Sequence, residues 1–242
     1  SANQDVGYGT HDLWDLGDIL LISVIVFGSR IPIYQITKRI FSFSWSPLVV
    51  NFIINLIQSL LLIVLTLGFV VFKYNHSLTF FGLKKIRPVK NINYGLFGGI
   101  AIWLLITLIN NCIYTVTTEL FQFRPPTQAA VKNLLSSENL FLFLAYSLLI
   151  VIIAPITEEI FFRGFIYLYC KNKVGTKWGI IISALAFSIA HFDFWIFLPT
   201  FSGGVILAWI YEKTDSLYPA MIAHGTWNGI IIILLYILWE VG

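Results

Sequence analysis

The chain has 242 residues, of which 58% are hydrophobic and only 11% are charged, and its net charge is +3. A soluble domain carries about 25% charged residues because its surface faces water, so this composition excludes a soluble globular protein. The basic residues are spread over the predicted loops and form no stripe, which gives no indication of a nucleic-acid partner. The expected environment is the lipid bilayer, and the aromatic content (17%) fits it, since Trp and Tyr collect at the membrane boundary.

Apolar stretches long enough to cross a membrane recur along the chain. A membrane-spanning helix needs about 20 predominantly apolar residues, and we predict seven spans, or eight if a long stretch is divided. In chain order they are roughly Leu16–Ile36, Leu48–Phe72, Ile92–Thr115, Leu140–Tyr169, Trp178–His191, Phe194–Tyr211 and Leu217–Trp239. The sequence therefore predicts an all-α, polytopic transmembrane bundle. A polar N-terminal segment, residues 1–15, precedes a single transmembrane domain, residues 16–242.

The distribution of Lys and Arg predicts the orientation, because cytoplasmic loops are the more basic ones. The loops after the second and fourth spans are rich in basic residues: Lys73, Lys84, Lys85, Arg87 and Lys90, then Lys171, Lys173 and Lys177. The opposing loops carry fewer, namely Lys38, Arg39, Arg124 and Lys132. A cytoplasmic N-terminus is favoured. The two cysteines, Cys112 and Cys170, lie in or beside apolar segments and are interpreted as packing residues.

Ionisable residues inside the predicted spans are concentrated in the second half of the chain. Each costs about 2.5–3.5 kcal/mol near the bilayer centre and is a functional candidate for that reason. The set consists of Glu158, Glu159 and Arg163 in one span, His191 at the end of the next, and His224, followed by Asn228, in the last. Arg30, in the first span, is an isolated exception whose long side chain can snorkel to the interface.

Helical spacing gives these residues a predicted geometry. Glu159 and Arg163 are four residues apart and can form an ion pair on one helix face, whereas Glu158 points about 100° away and stays uncommitted. At 1.5 Å per residue, Glu158 and His191 lie about 18 and 21 Å from the basic loop that joins their helices. The glutamate and the histidine are therefore expected at one level inside the membrane. His224 and Asn228 share a face of the last helix.

Such a group can hydrolyse a peptide bond. Glu158 could act as general base on a water with the help of His191, and His224 and Asn228 could donate hydrogen bonds to the oxyanion. Each residue taken alone also has a structural interpretation: a Glu–Arg pair between helices, an interfacial histidine, or a polar tie. Their joint occurrence favours a catalytic site.

The three motifs together resemble a known family. Glu158-Glu159-x-x-x-Arg163, Phe187-x-x-x-His191 and His224-x-x-x-Asn228 are similar, in kind and order, to the signature of the CPBP family, the CAAX proteases and bacteriocin-processing (Abi) proteins. The resemblance covers roughly residues 140–239, the predicted catalytic core. Phe81-Gly82-Leu83-Lys84 is a weaker match ahead of it.

The resemblance implies a glutamate-type intramembrane endopeptidase that needs no cofactor and no metal. Glu158 and His191 would activate the water, and His224 and Asn228 would form the oxyanion hole. Glu159 and Arg163 would support them. The implied partner is a membrane-associated protein or peptide, in CAAX-type or in leader or signal peptide processing, and the expected location is a bacterial plasma membrane.

Three alternatives stay open. One Glu and two His could ligate zinc in a metal-dependent membrane protease, although no His-Glu-x-x-His helix is present. A non-proteolytic immunity factor or scaffold could keep the same residues. A transporter would use Pro199 and Gly203-Gly204 to break the sixth span.

Overall fold

The structure, a computed structural model, describes residues 14–40, 47–83 and 88–241, and within these ranges all regular structure is helical. The predicted all-α fold is confirmed. Most of the predicted polar segment, and Lys84, Lys85 and Arg87 of the basic loop, lie outside the described residues. The predicted orientation and domain division stay predictions.

Ten α-helices follow one another along the described parts of the chain. They are α1 (Leu16–Gly28), α2 (Arg30–Ile40), α3 (Pro47–Gly68), α4 (Pro88–Phe121), α5 (Ala129–Leu135), α6 (Leu140–Leu148), α7 (Ala154–Glu159), α8 (Leu168–Ile189), α9 (Phe197–Thr214) and α10 (Leu217–Val241). Three π-helical segments extend or join them: Phe69–Lys73, Leu149–Ile153 and Ile160–Tyr167. Two short 3₁₀ turns, Leu78–Phe81 and Phe194–Ile196, complete the described secondary structure.

Six helical stretches of the described chain are long and apolar enough to cross a membrane. They are Leu16–Ile40, Leu48–Lys73, Asn91–Phe121, Leu140–Ile189, Phe194–Thr214 and Leu217–Trp239. The fourth is 50 residues long and holds two of the seven predicted spans, because the helix is interrupted at Gly175, whose φ is 81°. Glycine adopts this left-handed conformation without the steric penalty of a side chain. The protein is a multi-pass integral membrane protein.

The first predicted span differs from expectation because it is divided at Ser29, between α1 and α2. The Val26 carbonyl at this division accepts hydrogen bonds from Ser29 Oγ at 2.7 Å and from Gln58 Nε2 at 3.0 Å. Arg30 donates from Nη1 to Asn55 and Gln58 of α3. The divided helix is therefore held by polar side chains of its neighbour.

Two helix pairs build the membrane core. In one pair α10 packs along α4, in the other α8 packs against α9, and α4 also contacts α9.

Pro199, Gly203 and Gly204 lie inside or at the first turn of α9, which is continuous from Phe197 to Thr214. The break that a transporter interpretation requires is absent from this helix. Gly204 instead allows close packing, since a Cβ there would lie 3.2 Å from Ala184 of α8.

Two of the π-helical segments flank α7, which carries the two glutamates. The first, Leu149–Ile153, ends directly before Ala154, and the second, Ile160–Tyr167, begins directly after Glu159. The wider turns of π-helices rotate side chains away from ordinary α-helical positions and occur often at functional sites. The polypeptide therefore changes its helical register on both sides of the candidate site.

Candidate active site

The candidate site lies where three helical elements meet. Glu158 and Glu159 end α7, Arg163 lies in the following π-helical segment, and His224 lies in the second turn of α10. The structure brings these four side chains into one connected group. His191 and Asn228, which complete the predicted set, lie beside the group with hydrogen-bond partners of their own.

Glu159 and Arg163 form the predicted ion pair, with both side chains 0% exposed. Arg163 Nη1 donates to Glu159 Oε1 at 2.9 Å, and Nη2 donates to the Gly204 carbonyl of α9 at 3.2 Å. The guanidinium carbon lies 4.5 Å from the centre of the Phe187 ring. A buried carboxylate is tolerated when a paired charge and hydrogen bonds compensate the loss of water, so Arg163 is what keeps Glu159 in the core.

His224 lies between the two glutamates. Its Nδ1 is 2.9 Å from Glu159 Oε1, and its Nε2 is 3.8 Å from Glu158 Oε2. When Glu159 accepts a hydrogen bond from the Nδ1–H of His224, the ring orientation is fixed and Nε2 faces Glu158. The rings of Phe187 and Trp227 pack against the imidazole, with centroids 5.6 and 5.3 Å away.

The two glutamates differ in their access to water. The Glu158 side chain is 26% exposed, whereas Glu159 is fully buried. The 3.8 Å separation of Glu158 from His224 is too long for a direct hydrogen bond, and a water lying beside both atoms would bridge them. Glu158 is therefore the carboxylate that a water or a peptide can reach.

His191 also packs against Phe187. Its Nδ1 is 2.8 Å from the Phe187 carbonyl oxygen, and the two ring centroids are 4.8 Å apart. Among the ion pairs of the described residues, the one that includes Glu158 joins it to His224, not to His191. His191 does not reach Glu158 because it lies in the turn that follows the end of α8 at Ile189, where its N–H donates to the Ser188 carbonyl.

Asn228 completes the frame of the site. Its Nδ2 donates to the Ile150 carbonyl at 2.8 Å. This carbonyl lacks an intrahelical donor because the Ala154 N–H donates to Leu149 in the π-helical register, and the next residue, Pro155, has no N–H. One hydrogen of the Asn228 amide is thus used to tie α10 to the segment before α7, and one remains for the predicted oxyanion.

Sequence reasoning missed Trp14. This residue is 1% exposed; its Nε1 donates to the Phe165 carbonyl at 2.9 Å, and its ring stacks on the Phe165 ring with centroids 4.4 Å apart. Phe81 stacks on the other face of Trp14, at 5.5 Å, and lies against Gly164, where a Cβ would be 2.3 Å from Phe81 Cδ1. Two segments distant in sequence thus clamp the π-helix beside Arg163.

The Phe81-Gly82-Leu83-Lys84 match gains a structural meaning from this contact, although Lys84 lies outside the described residues. The Phe81 carbonyl accepts from Tyr211 Oη at 3.0 Å, and the Gly82 carbonyl accepts from the Leu217 N–H at 3.1 Å. Gly82 has φ 81°, which lets the chain turn there. The stretch therefore docks onto the core next to the site.

A metal centre would need several ligands at one point. Within the ranges that the structure describes, no three His, Cys, Asp or Glu side chains are grouped so that they could hold a metal ion. The geometry of the described residues gives no support to a zinc ligand set of Glu158, His191 and His224.

The site thus defines a class of protein: a polytopic helical membrane protein with a buried carboxylate–imidazole–guanidinium group. Residues 140–230 match the family model described as type II CAAX prenyl endopeptidase Rce1-like. This range contains every predicted site residue, from Glu158 to Asn228. The resemblance to the CPBP family is confirmed over this part of the chain.

Three curated relatives are similar to parts of the chain. The "UPF0177 protein YxdF" of Lactococcus lactis subsp. lactis (strain IL1403) is 33% identical over 78 residues, 32% of this chain and 42% of the relative. The "Putative membrane peptidase YdiL" of Bacillus subtilis (strain 168) is 30% identical over 83 residues, 34% of each chain. The "UPF0177 protein YbdI" of the same Lactococcus strain is 31% identical over 88 residues, 36% of this chain and 46% of the relative.

The chain spans less than half the length of each of these relatives in the matched regions. No solved structure matches the chain.

Proposed function

We propose that this protein is an intramembrane endopeptidase that hydrolyses a peptide bond of a membrane-associated substrate with a glutamate-activated water. The observation that carries the proposal is the placement of His224 between a buried and an accessible glutamate, 2.9 and 3.8 Å away. The match of residues 140–230 to an endopeptidase family model supports it. The peptidase named among the relatives supports the same reaction class.

Glu158 is the general base in this proposal. Its partly exposed carboxylate can accept a proton from a water, whereas Glu159 is enclosed and shared between Arg163 and His224. A positioned base contributes about 10²–10⁴-fold to the rate of such a reaction. The water oxygen then forms a bond to the carbonyl carbon of the substrate, and the carbonyl oxygen takes up the negative charge.

His224 and Asn228 stabilise that charge. The ring of His224, held through Nδ1 by Glu159, presents Nε2 toward the Glu158 side of the site, and Nε2 donates to the oxyanion when the ring carries a proton on both nitrogens. Asn228 has one amide hydrogen that is not used by Ile150. Preorganised donors of this kind contribute about 10²–10³-fold each. Glu158 then passes the proton that it took from the water to the leaving nitrogen as the carbon–nitrogen bond breaks.

His191 assists from its place beside Phe187. The Phe187 carbonyl fixes its Nδ1, so that Nε2 is the nitrogen able to meet water or substrate. Because His191 makes no ion pair with Glu158 among the described residues, its contribution requires a water or the substrate between them. Replacing His191 by Ala is therefore expected to lower the rate less than replacing His224.

The substrate class is a protein or peptide that resides in or on the membrane, since Glu158 and His224 lie in membrane-spanning helices. The family model names prenylated CAAX proteins as the substrates of its members, and leader or signal peptides are the second class that we propose. A matched pair of peptides, prenylated and unprenylated, separates them: selective cleavage of the prenylated peptide favours the CAAX-type activity.

The proposal is tested by incubating purified protein in liposomes with amphipathic and prenylated peptides in ¹⁸O-labelled water. Mass spectrometry should show new termini, with one ¹⁸O in each new carboxylate. Glu158→Gln should release these products about 10²–10⁴-fold more slowly, and Glu119→Gln, which changes an exposed glutamate of α4, should release them at the wild-type rate. Products that are formed equally by Glu158→Gln would reject the proposed activity.

A further inference from the structure

A cleft with both polar and apolar walls opens on the surface between α2 and α3, remote in sequence from the candidate active site. It has a volume of about 300 Å³ and is lined by Arg30, Ile31, Tyr34, Gln35, Asn51 and Ile54. We propose that this cleft binds the phosphate group of a phospholipid, with the Arg30 guanidinium as its principal contact. The proposal does not depend on the peptidase activity.

Arg30 is oriented toward α3 but is not neutralised there. Its Nη1 donates to Asn55 Oδ1 at 3.2 Å and to Gln58 Oε1 at 3.1 Å. Both acceptors are neutral amides, and none of the ion pairs formed among the described residues includes Arg30. A cation within an apolar span is unfavourable unless an anion or water compensates it, so a bound anion would stabilise this arrangement.

The chemistry of the cleft suits a phosphate. A guanidinium presents a planar set of N–H donors that matches two oxygens of a phosphate at once, and the Arg30 hydrogen bonds of the described structure use Nη1 alone. Tyr34, Gln35 and Asn51 bring further hydrogen-bonding groups to the walls of the cleft. The volume is at the lower end of the range for small-ligand sites.

The position of the cleft favours a lipid over a soluble anion. The neighbouring side chains of α2 face outward, with Ile31 69% and Ile36 56% exposed, as expected of a surface in contact with acyl chains. The same helix ends with Lys38 and Arg39 and contains no acidic residue. A basic surface of this kind attracts anionic headgroups, and the acyl chains of the lipid can lie along the exposed isoleucines.

Native mass spectrometry of the full chain, delipidated in an uncharged detergent, tests the proposal. Phosphatidylglycerol should be retained, and diacylglycerol with the same acyl chains should not, because it lacks the phosphate. Arg30→Gln should weaken the binding of phosphatidylglycerol by about tenfold, the effect of losing a charge-assisted pair. Arg124→Gln, an exposed residue after α4 that does not line the cleft, should bind as the wild type does.

Equal retention of the two lipids by the wild type would overturn the proposal, and this comparison holds whether or not Arg30→Gln folds. Equal affinity of folded Arg30→Gln and wild type would overturn it as well. A third probe is an amphipathic peptide with a free terminal carboxylate, compared with its amide. Selective binding of the free carboxylate without retention of phosphatidylglycerol would assign the cleft to a peptide and reject the lipid.

Discussion

Glu159 and His224 are joined by a 2.9 Å contact between Oε1 and Nδ1, although they lie on different helices and 65 positions apart in the sequence. The same oxygen accepts the hydrogen bond from Arg163. The position of the imidazole thus depends on an ion pair that is itself fully buried. This dependence leads to the first prediction.

Replacing Arg163 by Met should destabilise the protein by about 3–5 kcal/mol, because it leaves the Glu159 carboxylate buried without its counter-charge. The free energy of unfolding, measured by denaturant titration in micelles, checks this value. The double variant Glu159→Leu with Arg163→Met removes both charges and should recover most of the stability while remaining inactive. A single variant as stable as the wild type would show that the ion pair is not what holds Glu159 in the core.

Substitutions of Trp14 should lower the free energy of unfolding in proportion to the contacts that they remove. Trp14→Phe keeps an aromatic ring on Phe165 but loses the Nε1 hydrogen bond, which is worth about 1 kcal/mol. Trp14→Ala also loses the stacking and should destabilise by about 3–5 kcal/mol. Unfolding midpoints measure both effects. Trp178→Ala, at a position 57% exposed, is the control. Equal effects at the two positions would contradict the packing of Trp14 on Phe165.

Gly164 should not tolerate a methyl group. An alanine Cβ there would lie 2.3 Å from Phe81 Cδ1, and overpacking of this kind costs about 1–3 kcal/mol. Gly28→Ala is the matched control, because nothing lies within 4 Å of its Cβ, and its effect should be neutral or slightly stabilising. Thermal unfolding compares the two variants. Equal unfolding temperatures for the two variants would mean that Phe81 does not pack against this helix as described.

Chelators should leave the activity unchanged. The proposed reaction uses a carboxylate, imidazoles and an amide, and requires no metal ligand. The measurement is the cleavage rate after dialysis against EDTA and phenanthroline, with bound zinc determined by elemental analysis of the same sample. Activity that is lost on chelation and restored by zinc would support the metal-dependent alternative.

The sequence predicted those features that depend on local spacing and composition. The apolar stretches predicted the helices that could span the membrane, and the spacing of Glu159 and Arg163 predicted their ion pair. Contacts between helices far apart in sequence could not be predicted in this way, since spacing on one helix does not fix how it packs on another. The pairing of Glu159 with His224 and the docking of Trp14 on Phe165 belong to this group.

The partner of Asn228 shows an intermediate case. The sequence shows that Pro155 has no backbone N–H. Which upstream carbonyl lacks a hydrogen-bond donor as a result depends on whether the helix is α or π. An α-helix would leave the carbonyl of Val151 unpaired, whereas the π-helical register of residues 149–153 leaves that of Ile150. The position of a π-helical segment is set by packing, so the contact of Asn228 with Ile150 required the structure.

We propose different roles for the two glutamates: Glu158 is the base, and Glu159 holds His224 in place. The most direct test measures cleavage and unfolding of Glu158→Gln and Glu159→Gln side by side in the same liposomes. We expect Glu158→Gln to unfold like the wild type but to cleave about 10²–10⁴-fold more slowly, while Glu159→Gln also loses stability. A Glu158→Gln variant that cleaves substrate at the wild-type rate would contradict the role of Glu158 as the base.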